Sequence, residues 1–448
     1  MTSSLLNTPS LNAPTVEKLP NGLTIVAEQM PVEAVNLNVW INVGSAVESD
    51  QINGMAHFLE HMVFKGTPKL PSGEFERLIE QRGAVTNAAT SQDYTHYYIT
   101  TAPKDFAQLA PLQLEVVLNP SIPDHSFDKE RMVVLEEIRR SQDNPRRRTY
   151  RSAMETTFDQ LPYRRPVLGP ASVIEQLQPH QMRDFHGRWY QPGSMTAAVV
   201  GNLPVTELIE IVTNGFSQAQ PRAIENRTNL TPEPAFENIV RREYVDESLQ
   251  QARLVMVWRV PGIPELKETY ALDVLAGILG RGRMSRLFRD LREERQLVTQ
   301  IGVSNITQRL QGVFYISAQL PAENLAEVEN AIANHIHRCQ TELVSESEIA
   351  RIRTKVANQF IFNNEKPSAR SNLYGYYYSQ VGDLEPALNY PSHIKSVSAV
   401  DIQKAAQQYL SPHGYGIVIA KGTAMQRGLG GFPHERLHQD GNGEQGTD

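Results

Sequence analysis

The hydrophobic pattern alternates between strand-like and helix-like segments along the chain. Leu23-Thr24-Ile25-Val26-Ala27 and Val35-Asn36-Leu37-Asn38-Val39-Trp40-Ile41 predict strands, the second through its period-2 alternation of apolar and polar positions. Ser72 to Arg82 predicts a helix with Ser72 as N-cap and Gly83 as terminator, and Tyr94 to Thr100 returns to strand. Phe127 to Arg139 has helical periodicity. Polar, Gly- and Pro-rich text marks residues 1–16 and 422–448 as tails.

The pattern also repeats. Each residue set over the one 213 positions later puts Phe75, Leu78, Glu80, Arg82, Val85 and Thr86 on Phe288, Leu291, Glu293, Arg295, Val298 and Thr299. Tyr190-Gln191-Pro192 before Thr196 to Val200 likewise resembles Tyr409-Leu410-Ser411-Pro412 before Tyr415 to Ala420. A repeat this long predicts two duplicated α+β units, each an antiparallel-rich sheet with helices packed on one face, and not a solenoid. The expected units are 17–220 and 239–421, joined by a linker at 221–238 that carries Asn226-Arg227-Thr228 and Pro232-Glu233-Pro234.

The first unit contains His57-Phe58-Leu59-Glu60-His61, an H-x-x-E-H string inside an otherwise apolar helical segment. On a helix the two histidines stand at i and i+4, so both imidazoles leave one face and can take neighbouring corners of a zinc tetrahedron. Glu60, one residue before His61, can serve as a base toward water at such a metal without ligating it. A catalytic zinc takes three protein ligands and keeps one corner open. Glu137 on the 127–139 helix is the natural third ligand, with adjacent Glu136 an alternative that points about 100° away. Glu130, two turns before Glu137, can orient a ligating histidine. The bland alternative is a structural polar cluster, but three ionisable groups on an apolar face are costly unless paired or metal-bound. The repeat supplies an internal control, because His57, Glu60 and His61 become Tyr270, Asp273 and Val274 in the second unit. The duplicated fold does not need the metal-binding set.

A second string, His434-Glu435-Arg436-Leu437-His438, spells H-E-x-x-H in the C-terminal tail. It lacks an apolar helix around it, and only ten residues follow, so the expectation is a decoy. Composition narrows the setting. The net charge of −7 gives no electrostatic footprint for nucleic acid, although Arg146-Arg147-Arg148 forms a short basic cluster. The single cysteine, Cys339, leaves no disulfide framework, and no apolar stretch reaches the ~18–20 residues that span a bilayer. The N-terminal residues show no secretory pattern, so a cytoplasmic protein is expected.

His57-x-x-Glu60-His61 followed by Glu137 resembles the pitrilysin-type (M16) zinc metallopeptidases with the inverted motif, and among them the mitochondrial processing peptidase β subunit and its bacterial homologues. Pro20-Asn21-Gly22-Leu23, Gly44-Ser45, residues 83–98 and 185–202, and Arg283-Met284-Ser285-Arg286-Leu287-Phe288 share the likeness, which spans roughly Val16 to Gly422. The resemblance implies one Zn2+ per chain on His57, His61 and Glu137, with Glu60 as general base and Glu130 in support. It implies a peptide bound as an extended strand along residues 83–90, against Asn87, Ala88, Ala89 and Thr90, where small side chains let another backbone approach. An ordinary edge strand is the alternative there. It further implies an Arg and a Tyr that steady the oxyanion; Arg370 and Tyr377 match, with Tyr374 and Tyr376 as rivals for the tyrosine. Because both lie in this chain, a homodimer with two complete sites is expected, a heterodimer with a related subunit being the other arrangement. Arg281-Gly282-Arg283 departs from the family in being more basic. The expected function is hydrolysis of short or unfolded peptides inside an enclosed dimer chamber. The alternatives are a dedicated processing protease for one precursor and a non-proteolytic structural subunit.

Overall fold

Two sheets organise the chain, which a computed structural model describes at residues 11–217, 219 and 229–423. The first sheet holds β1 (Thr15–Lys18), β2 (Thr24–Gln29), β3 (Val35–Ile41), β4 (Val85–Thr90), β5 (Thr95–Thr101) and β6 (Met195–Gly201), in the order β1-β2-β6-β3-β5-β4. The second holds β7 (Val240–Val245), β8 (Ala252–Pro261), β9 (Gln300–Ile306), β10 (Gln311–Leu320) and β11 (Gly416–Lys421), in the order β7-β11-β8-β10-β9. Helices α1 (Met55–Met62), α2 (Glu74–Gln81), α3 (Pro103–Leu118), α4 (Asp124–Asp143), α5 (Pro145–Thr157), α6 (Ala171–Ile174), α7 (Pro179–Trp189) and α8 (Val205–Gly215) accompany the first half. The second half carries α9 (Leu266–Gly280), α10 (Leu325–Thr341), α11 (Glu346–Phe362), α12 (Pro367–Val381), α13 (Glu385–Leu388), α14 (Tyr390–Ser396) and α15 (Ala399–Tyr409).

The duplication is visible strand by strand. β2 runs parallel to β6, and antiparallel pairings then lead through β3 and β5 to β4. β7 runs parallel to β11, and the same antiparallel series leads through β8 and β10 to β9. β4 and β9 are therefore matching edges. The fold is α+β and duplicated, as the repeat predicts.

The burial of β3 departs from its alternation. All seven residues are buried, so the polar face that would meet water in a half-covered sheet is covered too. Asn36 donates to Thr100 Oγ1 at 2.8 Å and accepts from Ser371 of α12; Asn38 contacts His96 Nδ1 at 3.0 Å. The cover comes from the other half. Tyr374 of α12 packs with Val26, Ala198 and Val200 of the first sheet, while Ala153, Met154 and nearby Phe158 at the end of α5 pack with Val255, Val257 and Val418 of the second. α5 and α12 hold the same place in their units, each following a long helix, and each lies on the sheet of the other. Close approach requires Gly375, since a Cβ there would sit 2.1 Å from the Trp40 ring.

Two other details bear on the expectations. The α2 N-cap is Gly73 at φ 84°, not Ser72, and no side chain caps it, whereas Gly83 does take the left-handed turn at φ 62° after the helix. Within the expected linker, the described part is anchored: Glu233 accepts the amides of Gln160 and Leu161 at 2.8 Å each and pairs with Arg259 at 2.8 Å. His434, Glu435 and His438 lie outside the described residues. Among the described residues, no helix is long and apolar enough to cross a membrane.

Candidate metal centre

The H-x-x-E-H string begins at a turn that only glycine fits. Gly54 has φ 100°, and a Cβ there would lie 2.6 Å from Ile174 Cδ1 and 2.7 Å from the Leu168 carbonyl. No local side chain caps α1. Glu48 does so from upstream, its Oε2 accepting Gly54 N–H at 2.8 Å and its Oε1 accepting Ala56 N–H at 2.7 Å. Burial pushes its carboxyl up to about 7, against those bonds and Asn53. Met55, Ala56, Phe58, Leu59 and Met62 are buried in the core, and Phe58 meets Phe127 of α4 at 4.5 Å between ring centroids. That contact sets the carboxylates of α4 against the histidines of α1.

His57, His61 and Glu137 offer ligand atoms within 4.8 Å of one another. Glu137 Oε2 lies 3.4 Å from His57 Nε2 and 3.6 Å from His61 Nε2. A tetrahedral zinc with bonds of 2.0–2.2 Å spaces its ligand atoms about 3.3–3.6 Å apart, so both carboxylate–imidazole separations match that ion, and two imidazoles with a carboxylate are a donor set zinc takes. His61 is oriented from behind by Glu130, whose Oε1 sits 2.9 Å from Nδ1, and Lys65 holds the other Glu130 oxygen at 2.7 Å. His57 Nδ1 is buried with no hydrogen-bond partner among the described residues. The alternative Glu136 faces away, bound to Arg139 and Arg140.

The electrostatics separate the two imidazoles. Burial, and then the charge of His61, lowers His57 to about 4, leaving it neutral. Burial also opposes a cation at His61, but Glu130 and Glu137 outweigh it and push the group up to about 9. His61 thus holds its proton where two carboxylates face it, and binding of a divalent ion by His57, His61 and Glu137 would require its release. Burial raises the Glu60 carboxyl, opposed by the hydroxyl of Thr90, which donates to Glu60 Oε2.

A cavity of about 910 Å³ is lined by His57, Glu60, Ala89, Thr90 and Glu137. The edge of β4 forms one wall, with Asn87, Ala88, Ala89 and Thr90 on a strand whose far side has no partner among the described residues. Arginines from α5 and the following turn form another wall. Arg148 is bound by Asp246, Arg151 by Glu155, and Arg164 and Arg165 by Asp50, while Arg146 and Arg147 form no ion pair among the described residues, the charge of Arg147 acting on Glu137 from a distance.

Arg370 and Tyr377 stand elsewhere, on α12. Arg370 pairs with buried Glu28 at 2.8 Å, Tyr374 donates to the same carboxylate at 2.8 Å, and Tyr377 lines a separate cavity of about 400 Å³ beside Arg281. Neither lines the cavity of His57 and Glu137 in their own chain. Sequence reasoning missed Glu48, Lys65 and the Thr90 hydroxyl as supports. The one readable hint was the position of Thr90 at the end of a strand following the motif helix.

Two histidines and a carboxylate converge from an H-x-x-E-H helix and α4, on a duplicated α+β frame, as a group that could hold a metal ion. The chain belongs to peptidase family M16: "Insulinase (Peptidase family M16)" matches residues 24–171 and "Peptidase M16 inactive domain" matches residues 176–356. An "uncharacterized zinc protease" of Rickettsia bellii is 29% identical over 405 residues, 90% of this chain and 97% of that protein. The "Zinc protease PqqE" of Helicobacter pylori is 26% identical over 87% of this chain and 89% of its own length. The crystal structure of a protease from Helicobacter pylori superposes with a TM-score of 0.85 at 25% identity, over 91% of this chain and 99% of that one. The model described as inactive falls largely on the half whose counterparts to His57 and His61 are Tyr270 and Val274.

Proposed function

We propose that the chain is a zinc-dependent endopeptidase acting on short or unfolded peptides, with His57, His61 and Glu137 as the zinc ligands. One observation carries the reading: Glu137 Oε2 lies 3.4 and 3.6 Å from two imidazole nitrogens, and Glu60 lines the same cavity without joining the three. Zinc, when bound, supplies a Lewis acid that makes water acidic near neutral pH. Glu60 takes the proton from the attacking water and returns it to the departing amine, while Thr90 fixes the carboxylate in place. Glu130 keeps the His61 ring turned so that Nε2 faces Glu137. The open edge of β4 takes the peptide as an added strand, and the small Ala88 and Ala89 let its backbone come close. Arg370 and Tyr377 lie outside this cavity, and Arg370 is held by Glu28 and the Asn364 carbonyl, so a part at the oxyanion would require the site of a second chain. A homodimer with two complete sites, closed around the peptide, satisfies that requirement.

The test is zinc content and cleavage of an unstructured peptide by wild type, Glu60→Gln and His61→Ala, with light scattering for the dimer. Glu60→Gln is expected to keep zinc and lose turnover, and His61→Ala to lose both. Equal cleavage by all three overturns the reading.

A further inference from the structure

Two hollows share a wall at the first turns of α5. The larger contains the metal centre; the smaller, about 410 Å³, lies against β8, β9 and β10 of the second sheet, and Arg146 and Tyr150 line both. The smaller hollow holds two cations and no acidic side chain. Arg253, on β8 between Gln319 and Ala420, has no hydrogen-bond or ion-pair partner among the described residues, and its Nε is buried. Among the described residues, the Arg146 guanidinium donates only to Gln300, at 3.0 Å. Tyr315, on β10, brings a phenol with no acceptor among the described residues, its ring 5.9 Å from that of Tyr150.

An unpaired guanidinium in a partly buried place is costly. Here, burial and then the nearby charge of Arg146 both make the Arg253 cation less favourable. Asp246, a carboxylate whose charge acts on Arg253, is already held by Arg148. The arrangement therefore lacks one component, an anion between Arg146 and Arg253.

We propose that this hollow is a carboxylate-binding subsite, in which Arg146 and Arg253 receive a carboxylate of a peptide whose scissile bond lies at the metal centre. The inference rests on the peptidase reading and adds a substrate class to it, peptides bearing a carboxylate at a fixed distance from the cleaved bond. In a peptide that group is either an Asp or Glu side chain or the C-terminal carboxylate. Both present the planar pair of oxygens that guanidinium groups bind through two parallel hydrogen bonds. The same two cations repel a peptide's amino terminus.

The zinc-loaded wild type is given one peptide as free acid and as C-terminal amide, and the amide with internal Glu or Gln. One carboxylate form is expected to have a KM about tenfold below its neutral counterpart at equal kcat, a difference that shrinks in 0.5 M salt. Which form gains, the free acid or the internal Glu, identifies the source. Arg253→Gln and Arg146→Gln are expected to bring the ratio of the two KM values close to one, and Arg253→Lys to retain part of it. Thermal melting checks Arg253→Gln, and exposed Arg146 gives the answer should that variant not fold. A preference unchanged in both arginine variants, or no preference in wild type, overturns the subsite.

Binding separates this from failure of the peptidase reading. Anisotropy of a labelled acidic peptide on Glu60→Gln is read without turnover. Binding that needs Arg253, together with no cleavage by wild type, keeps the subsite and removes the hydrolase. Cleavage without an Arg253-dependent preference does the reverse.

Discussion

The helix–strand junction at α1 and β4 occurs again at α9 and β9, with different contents. In the first half, Glu60 of α1 accepts from Thr90 at the end of β4, and the pair faces a cavity of about 910 Å³. In the second, Asp273 of α9 accepts from Asn305 of β9 at 2.9 Å and from Tyr390 of α14 at 3.0 Å. Tyr270 and Val274, at the positions of His57 and His61, are core residues there, and Tyr270 stacks on His393 at 4.8 Å. A carboxyl on this helix bonded to the neighbouring strand is thus common to both copies. The proposed metal-binding set differs: two imidazoles, a partner carboxylate from α4, and no tyrosine bonded to Glu60 among the described residues. The fold explains the carboxyl, while the ligands must be explained by chemistry.

Substituting the second copy's residues into the first tests this most severely. His61→Val is expected to reduce bound zinc to under about a tenth of the wild-type content, measured on purified protein, while the melting temperature stays near that of the metal-free wild type. Glu60→Gln is expected to lower kcat by about 10²–10⁴-fold with zinc retained. A fall in zinc equal to the fall in rate would instead make Glu60 a ligand. Glu130→Gln is expected to weaken zinc about 10–100-fold in a chelator competition, because His61 loses the carboxylate that orients it. On the other side, Tyr390→Phe removes one donor from buried Asp273 and is expected to cost about 1–3 kcal/mol in denaturant melts, with zinc content and cleavage unchanged. The smallest effect is expected from Thr90→Val, about a tenfold fall in kcat with metal content intact. A larger loss there would show that Thr90 also positions zinc.

Much of this centre was legible in the sequence because its parts are local. The spacing of His57, Glu60 and His61, and of Glu130 and Glu137, puts each set on one helix face whatever the rest of the chain does. The supports were less legible. Glu48 caps a helix whose N-cap, Gly54, comes six residues later, at a turn with no local capping side chain. Thr90 was readable as part of an edge but not as the partner of a carboxylate 30 residues away. The pairing of Arg370 with Glu28 spans 342 positions and depends on α12 crossing to the first sheet. That crossing is also why the alternation in β3 misleads. A period of two distinguishes the faces of a strand, but it does not tell whether the second face meets water or a helix from elsewhere.

The reciprocal docking of α5 and α12 bears on how such a molecule could arise. One unit alone, with its helix reaching away, leaves an apolar sheet surface bare at Val26, Ala198 and Val200. Two identical units lending each other that helix would cover both surfaces at once, as a swapped pair. Joining the pair end to end in one gene would then free one half to lose its metal ligands without exposing its core.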